Sequence, residues 1–372
     1  MRKLLSIIII VLTLMSCGSK TPQDLFDEDK SGVVMILNQF YYVLTLPNGN
    51  KIYFSGIDNN GTLQNITFNK AEIINKRAAM TGTGFFIDKQ GTIMTNRHVA
   101  QPQIDKKAIK EGYNKLVASI KAYYISQMQW MSGQYDVLEA QKSYCVSYDY
   151  YGNAVTDESK LQAIEEKQQE LNSQYQMLQN VVQSLDGYAS ANSLDISTVC
   201  QVGIAYNDTY VQSANDFFGK NACTVVKVSQ QEDTDLALLQ LKSKTTPDNA
   251  YIFKTDGTAD MSWADKLKEM FSPYSEKLLE INQDLYMIGY NAGPTLASTK
   301  QGIQVQMTTG KVTQLPDGDR VLYSIPTVQG SSGSPVVDSK GRLVAVNFAK
   351  LIGSDNFNFG IPMNKVKAFL EK

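Results

Sequence analysis

The stretch Gln329-Gly-Ser-Ser-Gly-Ser-Pro335 constrains the fold of this chain more than any other. A serine between glycines marks a tight turn, because glycine turns without the steric penalty of a Cβ and lets backbone N–H groups approach the hydroxyl. An apolar run follows at once, so the turn opens a strand. A serine hydroxyl is a weak nucleophile at neutral pH and needs a base that titrates near 7. The chain holds one histidine, His98, in Thr95-Asn-Arg-His-Val-Ala100. An imidazolium in turn needs a carboxylate to hold its tautomer and offset its charge. Asp235 fits, in Asp233-Thr-Asp-Leu-Ala-Leu-Leu239. An attacked carbonyl becomes an oxyanion and needs aimed N–H donors, which Gly330 and Ser332 can supply. Singly, each stretch is weak: Gly-x-Ser-Gly recurs by chance, a lone histidine is often structural, and an aspartate before a strand is often a turn or cap. Together, in the order His, Asp, Ser, they make His98, Asp235 and Ser332 the candidate catalytic residues. Ser331 and Ser334 are bystanders, since only Ser332 has flanking glycines that fit both donors.

The run Thr81-Gly-Thr-Gly-Phe-Phe-Ile-Asp-Lys-Gln-Gly-Thr-Ile-Met-Thr-Asn-Arg-His98 resembles the segment before the catalytic histidine of HtrA/Deg-type and related bacterial trypsin-like peptidases. So do Asp235-Leu-Ala-Leu-Leu239, Gly330-Ser-Ser-Gly-Ser-Pro335 and Phe359-Gly-Ile-Pro362. The resemblance covers about 33–100, 196–255 and 283–372, and not the middle of the chain. The His, Asp, Ser order is that of chymotrypsin and not of the α/β-hydrolases or subtilisins. The resemblance implies a mainly β fold of two six-stranded antiparallel β-barrels; the uncovered middle, by its helical periodicity, reads as an inserted α-helical hairpin. The resemblance also implies a serine endopeptidase with a protein or peptide substrate and no cofactor. Ser331 stands where digestive proteases carry an aspartate that pairs with a new N-terminus, so that switch is not expected. Ser-Gly-Ser-Pro and Thr327 also resemble glutamyl endopeptidases, which have histidine where this chain has Asn347. Thr327 and Asn347 are thus the candidate substrate-pocket residues. With no charge near Pro326, an uncharged, apolar P1 residue is expected. HtrA-type enzymes usually carry PDZ domains after the protease, and none is expected here.

The composition, 43% apolar and 19% charged over 372 residues, is that of a globular chain. A net charge of −2 gives no basic balance for nucleic acid. The lone histidine, already assigned, argues against a metal site. Met1-Arg-Lys followed by the apolar Leu4 to Met15 reads as a signal peptide, too short to span a bilayer comfortably. Leu14-Met-Ser-Cys17 resembles a bacterial lipobox, which implies lipidation of Cys17 and attachment to a membrane of the cell envelope, on its periplasmic face or the cell surface. An ordinary secretory signal with a chance cysteine is the alternative. Cys145, Cys200 and Cys223 remain, an odd number. Cys200 and Cys223 either bridge a hairpin or stay buried thiols.

The expected organisation is a signal peptide and lipobox (1–17), a polar linker (18–32), the first part of barrel one (33–103), a helical hairpin (104–190), the rest of barrel one (196–255), a helical inter-barrel segment (256–283) and barrel two with a closing helix (284–372). Alternation predicts strands over 33–47 and 51–57 about the turn Pro47-Asn-Gly-Asn50, and another over Ile66 to Ile74. Leu161, Ile164, Gln168, Leu171, Tyr175, Leu178, Val182 and Leu185 step by three and four, a heptad seam with one polar member. Each hairpin arm is expected to be under thirty residues and about 40 Å long, capped at Asp157 or Ser159, with an aromatic tip at Ser143 to Asn153. The tip tyrosines either form an exposed patch or fold back on the barrel. In trypsin-like folds the loop after the catalytic histidine borders the substrate cleft. The hairpin is therefore expected beside the active site, either restricting access or docking a partner, or as a passive insertion. The competing reading of the whole chain is a non-catalytic trypsin-like scaffold that binds a protein partner through this hairpin. An envelope adaptor built from the coiled coil alone leaves the barrel residues unexplained.

Overall fold

The computed structural model describes residues 20–189, 194–231, 233–256, 279–314, 317–350 and 358–371. These form two units, divided within two long strands at residues 40/41 and 199/200.

The first unit contains the barrels. Strands β1 (Val33–Thr45), β2 (Lys51–Phe54), β3 (Ala78–Phe86), β4 (Thr92–Thr95), β5 (Asp195–Tyr206), β6 (Ala222–Val228) and β7 (Ala237–Leu241) are hydrogen-bonded in the order β2-β1-β3-β4-β7-β6-β5. A further β1–β5 pairing closes six of them into a barrel and leaves β2 as an appendage on β1. Strands β8 (Asp284–Gly289), β9 (Gln306–Gln314), β10 (Val321–Tyr323), β11 (Pro335–Asp338), β12 (Leu343–Lys350) and β13 (Asn358–Pro362) close as β8-β9-β10-β13-β12-β11. The fold is thus two closed six-stranded antiparallel barrels, as expected.

Successive side chains of a strand point to opposite faces, and here both faces are covered. Along β1, Val34 and Ile36 fill the first barrel with Phe86, Ile93, Ile204 and Leu239. Val33 and Met35 belong to a second core with Phe85, Tyr290, Val337 and Val346, drawn from both barrels. The split recurs in β8, where Leu285 and Met287 fill the second barrel and Tyr286 and Ile288 face the shared core. This explains near-continuous apolar runs such as Val33-Val-Met-Ile-Leu37.

The linker expected over 18–32 is corrected from Pro22 onward. Helix α1 (Pro22–Asp29) starts at Thr21, whose hydroxyl accepts from Asp24 N–H while Asp24 accepts from Thr21 N–H. Its Leu25 is fully buried in the shared core. One apolar anchor among acidic residues hid the helix. Asp29 is also fully buried, and neither carboxylate oxygen has a partner among the described residues. The closing helix (Met363–Glu371) buries Met363, Val366 and Phe369 in the same core, three residues apart as a helix face requires.

The second unit holds Tyr41–Arg77 and the described part of Ile104–Val199. Helices α2 (Lys106–Gln141, 36 residues) and α3 (Glu158–Ala189, 32 residues) form the expected hairpin. Both arms exceed the expected length, reaching about 54 and 48 Å at 1.5 Å per residue. Asp105 and Asp157 cap them, accepting from Ala108 and Lys160 N–H. Gln168 is 5% exposed in the seam and donates to Glu139 Oε2 at 2.8 Å. The tip is a two-stranded ribbon, Val146–Tyr148 with Ala154–Thr156, whose turn is held by Asp149 accepting from Tyr151 and Asn153. Tyr144, Tyr148, Tyr150 and Tyr151 are exposed, so the patch is the outcome of that pair of readings. At the base, Ile109, Tyr113 and Val117 pack on Leu44, Ile52, Phe54 and Leu63. The strand expected over Ile66 to Ile74 is replaced by one bridge, Tyr53 with Thr67, and a helix, Lys70–Asn75. Asn69 starts that helix by accepting from Ala71 N–H. The inter-barrel segment expected over 256–283 lies largely outside the described residues.

Candidate active site

Strands β4 and β7 are paired with Thr95 opposite Ala237. His98 follows Thr95 by three residues and Asp235 precedes Ala237 by two, so the pairing delivers both to one strand end. The turn between them is fixed by the backbone. Asp235 O accepts from Arg97 N–H at 3.2 Å and from Asn96 Nδ2 at 2.9 Å. Arg97 Nη1 in turn donates to Ser229 O at 3.0 Å. The Asp235 carboxylate grips the histidine twice: Oδ1 accepts from His98 N–H at 3.0 Å and Oδ2 lies 2.5 Å from Nδ1. That contact selects the tautomer protonated on Nδ1 and leaves the Nε2 lone pair as the base.

Ser332 lies in the loop before β11. Counting the loop's backbone groups shows what the loop presents. Ser331 N–H donates to Val328 O, Gly333 N–H to Asn347 O and Ser334 N–H to Ser331 O. Within the turn from Gly330 to Ser334, Gly330 and Ser332 N–H are left without an acceptor among the described residues, as are Val328 and Gln329 N–H just before it. Those of Gly330 and Ser332 are the two amides expected to hold the oxyanion. The carbonyls of Gly330, Ser331, Ser332 and Ser334 are committed, the last accepting from Asn347 N–H. Ser331 O accepts from Asn347 Nδ2 at 3.0 Å. Because a trans peptide sets N–H opposite C=O, this bond fixes the direction of Ser332 N–H. Ser332 O accepts from Thr83 N–H at 2.8 Å and Gly330 O from the Thr83 hydroxyl at 2.8 Å. Two glycines are required here. Gly330 and Gly333 have φ of +102° and +86°. A Cβ on Gly333 would lie 2.2 Å from Thr83 O and 2.5 Å from Thr95 Oγ1.

Ser332 is half-buried, whereas Ser331 and Ser334 are buried. Ser331 braces the loop, its hydroxyl donating to Val328 O at 2.7 Å. The structure thus joins His98 to Asp235 and brings the Ser332 loop against Thr95 and Asn96, just before His98. It does not join the Ser332 hydroxyl to the imidazole: among the described residues neither Ser332 Oγ nor His98 Nε2 makes a hydrogen bond. In ligand-free sites such bonds are often long and tighten only with substrate.

Asn347, expected in the substrate pocket, braces the Ser332 loop. It is buried, Nδ2 serves Ser331, and Oδ1 lies 2.8 Å from the Tyr323 hydroxyl. Burial raises the pKa of that hydroxyl well above its ordinary value, so it stays a donor. Thr327 is buried with its hydroxyl donating to Asn358 Oδ1 at 2.6 Å, and Asn358 Nδ2 donates to Ile325 O. Cys17 lies outside the described residues. The thiols of Cys145, Cys200 and Cys223 are free. Cys223 stands opposite Val202, a diagonal step from Cys200. Burial pushes the Cys223 thiol up to about 12. Sequence reasoning missed Thr83 and the bracing role of Asn347.

No curated protein matches the chain. Residues 198–346 match the family model of the trypsin-like peptidase domain, a stretch that contains Asp235 and Ser332 and begins after His98. With two closed barrels and that match, the fold is trypsin-like, and residues 198–346 are similar to a trypsin-like peptidase domain.

Proposed function

We propose that this chain is a serine endopeptidase of the bacterial cell envelope, held on a membrane through lipidated Cys17. The observation that carries the reading is the pairing of His98 with Asp235 beside a loop in which the amides of Gly330 and Ser332 are unspent. Ser332 Oγ attacks a peptide carbonyl and His98 Nε2 takes its proton. Asp235 holds the imidazole in the productive tautomer and offsets the charge it gains. The amides of Gly330 and Ser332 receive the oxyanion. His98 then passes the proton to the leaving amine, and water repeats the sequence on the acyl-enzyme. The substrate is a protein or peptide of the envelope or its surroundings.

The reading is tested with a fluorophosphonate probe. Wild type becomes labelled and Ser332→Ala does not; label that persists in Ser332→Ala means that another residue is the nucleophile. A second reading, a non-catalytic scaffold that binds a protein partner through the hairpin, draws on the missing Ser332–His98 hydrogen bond and the exposed tip tyrosines. Wild-type protein that is folded yet refractory to the probe favours it.

A further inference from the structure

We infer that Thr83 is the positioning residue that sets the nucleophile loop against the histidine, an inference that rests on the endopeptidase reading. His98 and Asp235 come from the first barrel and Ser332 from the second, so something must fix one barrel's contribution relative to the other's. Thr83 lies on β3 of the first barrel, fully buried. All its polar groups are used, and most cross to the second barrel. Its hydroxyl donates to Gly330 O at 2.8 Å and accepts from Tyr290 N–H at 3.0 Å. Its N–H donates to Ser332 O at 2.8 Å. Its carbonyl accepts from Thr95 Oγ1 at 2.7 Å, on the strand that leads to His98. One residue thereby holds the carbonyls on both sides of Ser331 and the strand end that carries the base.

The hydroxyl is the part a side-chain change can remove. Without it Gly330 O and Tyr290 N–H, both in buried residues, lose their partner. Buried polar groups left unpaired drive local rearrangement. The loop can respond, because Gly330 is a glycine at φ +102° and reaches other backbone regions without a Cβ clash. Its amide, one of the two that face the oxyanion, then leaves its place. Thr83 touches neither substrate nor reacting atoms; it acts through the loop.

The experiment compares full-length wild type, Thr83→Val, Thr83→Ser and Thr246→Val. Valine keeps the shape and deletes the hydroxyl, and serine keeps the hydroxyl. Thr246 is the control: it too bridges two backbone groups, accepting from Gly91 N–H and donating to Asp88 O, but away from the loop. The expected result is fluorophosphonate labelling slowed roughly a hundredfold in Thr83→Val, the low end of what loss of one oxyanion donor costs. Saturable binding of the probe stays near the wild-type level, Thr83→Ser recovers, and Thr246→Val matches wild type. Labelling of Thr83→Val at the wild-type rate overturns the inference. Hydrogen exchange over 328–335 gives an independent readout: faster exchange in Thr83→Val than in wild type and Thr246→Val supports the clamp, and unchanged exchange overturns it. Wild type that resists the probe sinks the endopeptidase reading, and exchange alone then decides the clamp. Should Thr83→Val not fold, Thr83→Ala is read in the same way.

Discussion

Replacing Asn347 by leucine keeps the branched outline of the side chain and removes every hydrogen bond between β12 and the Ser331 side of the loop that the amide makes. Asn347→Leu is expected to lose about 1–3 kcal/mol in urea denaturation and to slow probe labelling, because the direction of Ser332 N–H is no longer enforced. At this scale the candidates His98, Asp235 and Ser332 were legible because their side-chain types suit the proposed chemistry, and one of them is unique in the chain. Thr83 and Asn347 were not. Threonine and asparagine are common, and what distinguishes these two is a partner 247 positions away for one and 16 for the other. The resemblance placed Asn347 at the pocket and gave no hint of the brace, which exists because a buried amide must satisfy its own donors and acceptor.

Among the elements, α1 carries a liability that depends on pH. Burial, reinforced by the charge of Glu28 and partly offset by Lys20, pushes the Asp29 carboxyl up from 3.8 to about 7. The fold therefore holds the protonated acid. Stability is fullest below about pH 4 and is lost as pH rises toward 7, by on the order of 4 kcal/mol at most. Thermal midpoints measured from pH 4 to 8 should fall for wild type and stay flatter for Asp29→Asn; equal slopes remove the assignment. The helix escaped sequence reasoning because its packing rests chiefly on Leu25. The helical hairpin was legible from its stepped apolar seam, and even the odd Gln168 proved buried and bonded. Its length was not, since the ends of the arms leave the seam. Ile66 to Ile74 misled because three isoleucines and a phenylalanine in nine residues mimic alternation, while Asn69 was already a helix cap.

For the molecule as a whole, the double barrel was readable because its strands announce themselves as short apolar runs with turns between them. The division into units was not. It cuts through β1 and β5, which are continuous in sequence pattern. None of the triad residues lies in the second unit. Shortening the hairpin to remove residues 118–184 spares Ile109, Tyr113 and Val117, which cover Leu44, Ile52 and Phe54. The shortened protein should fold and label at a rate within about twofold of wild type, read by circular dichroism and the probe. A large loss of labelling in folded protein would assign the hairpin a part in the chemistry.

Barrel two closes only when β13 slots between β10 and β12. The Ser332 loop therefore has no frame until the chain has been made through Pro362. A polypeptide that stops short of β13 already contains its imidazole and its carboxylate, yet lacks the closed barrel that would set the loop beside them. The order in which the ribosome delivers the two barrels leaves assembly of the candidate site to the last strand.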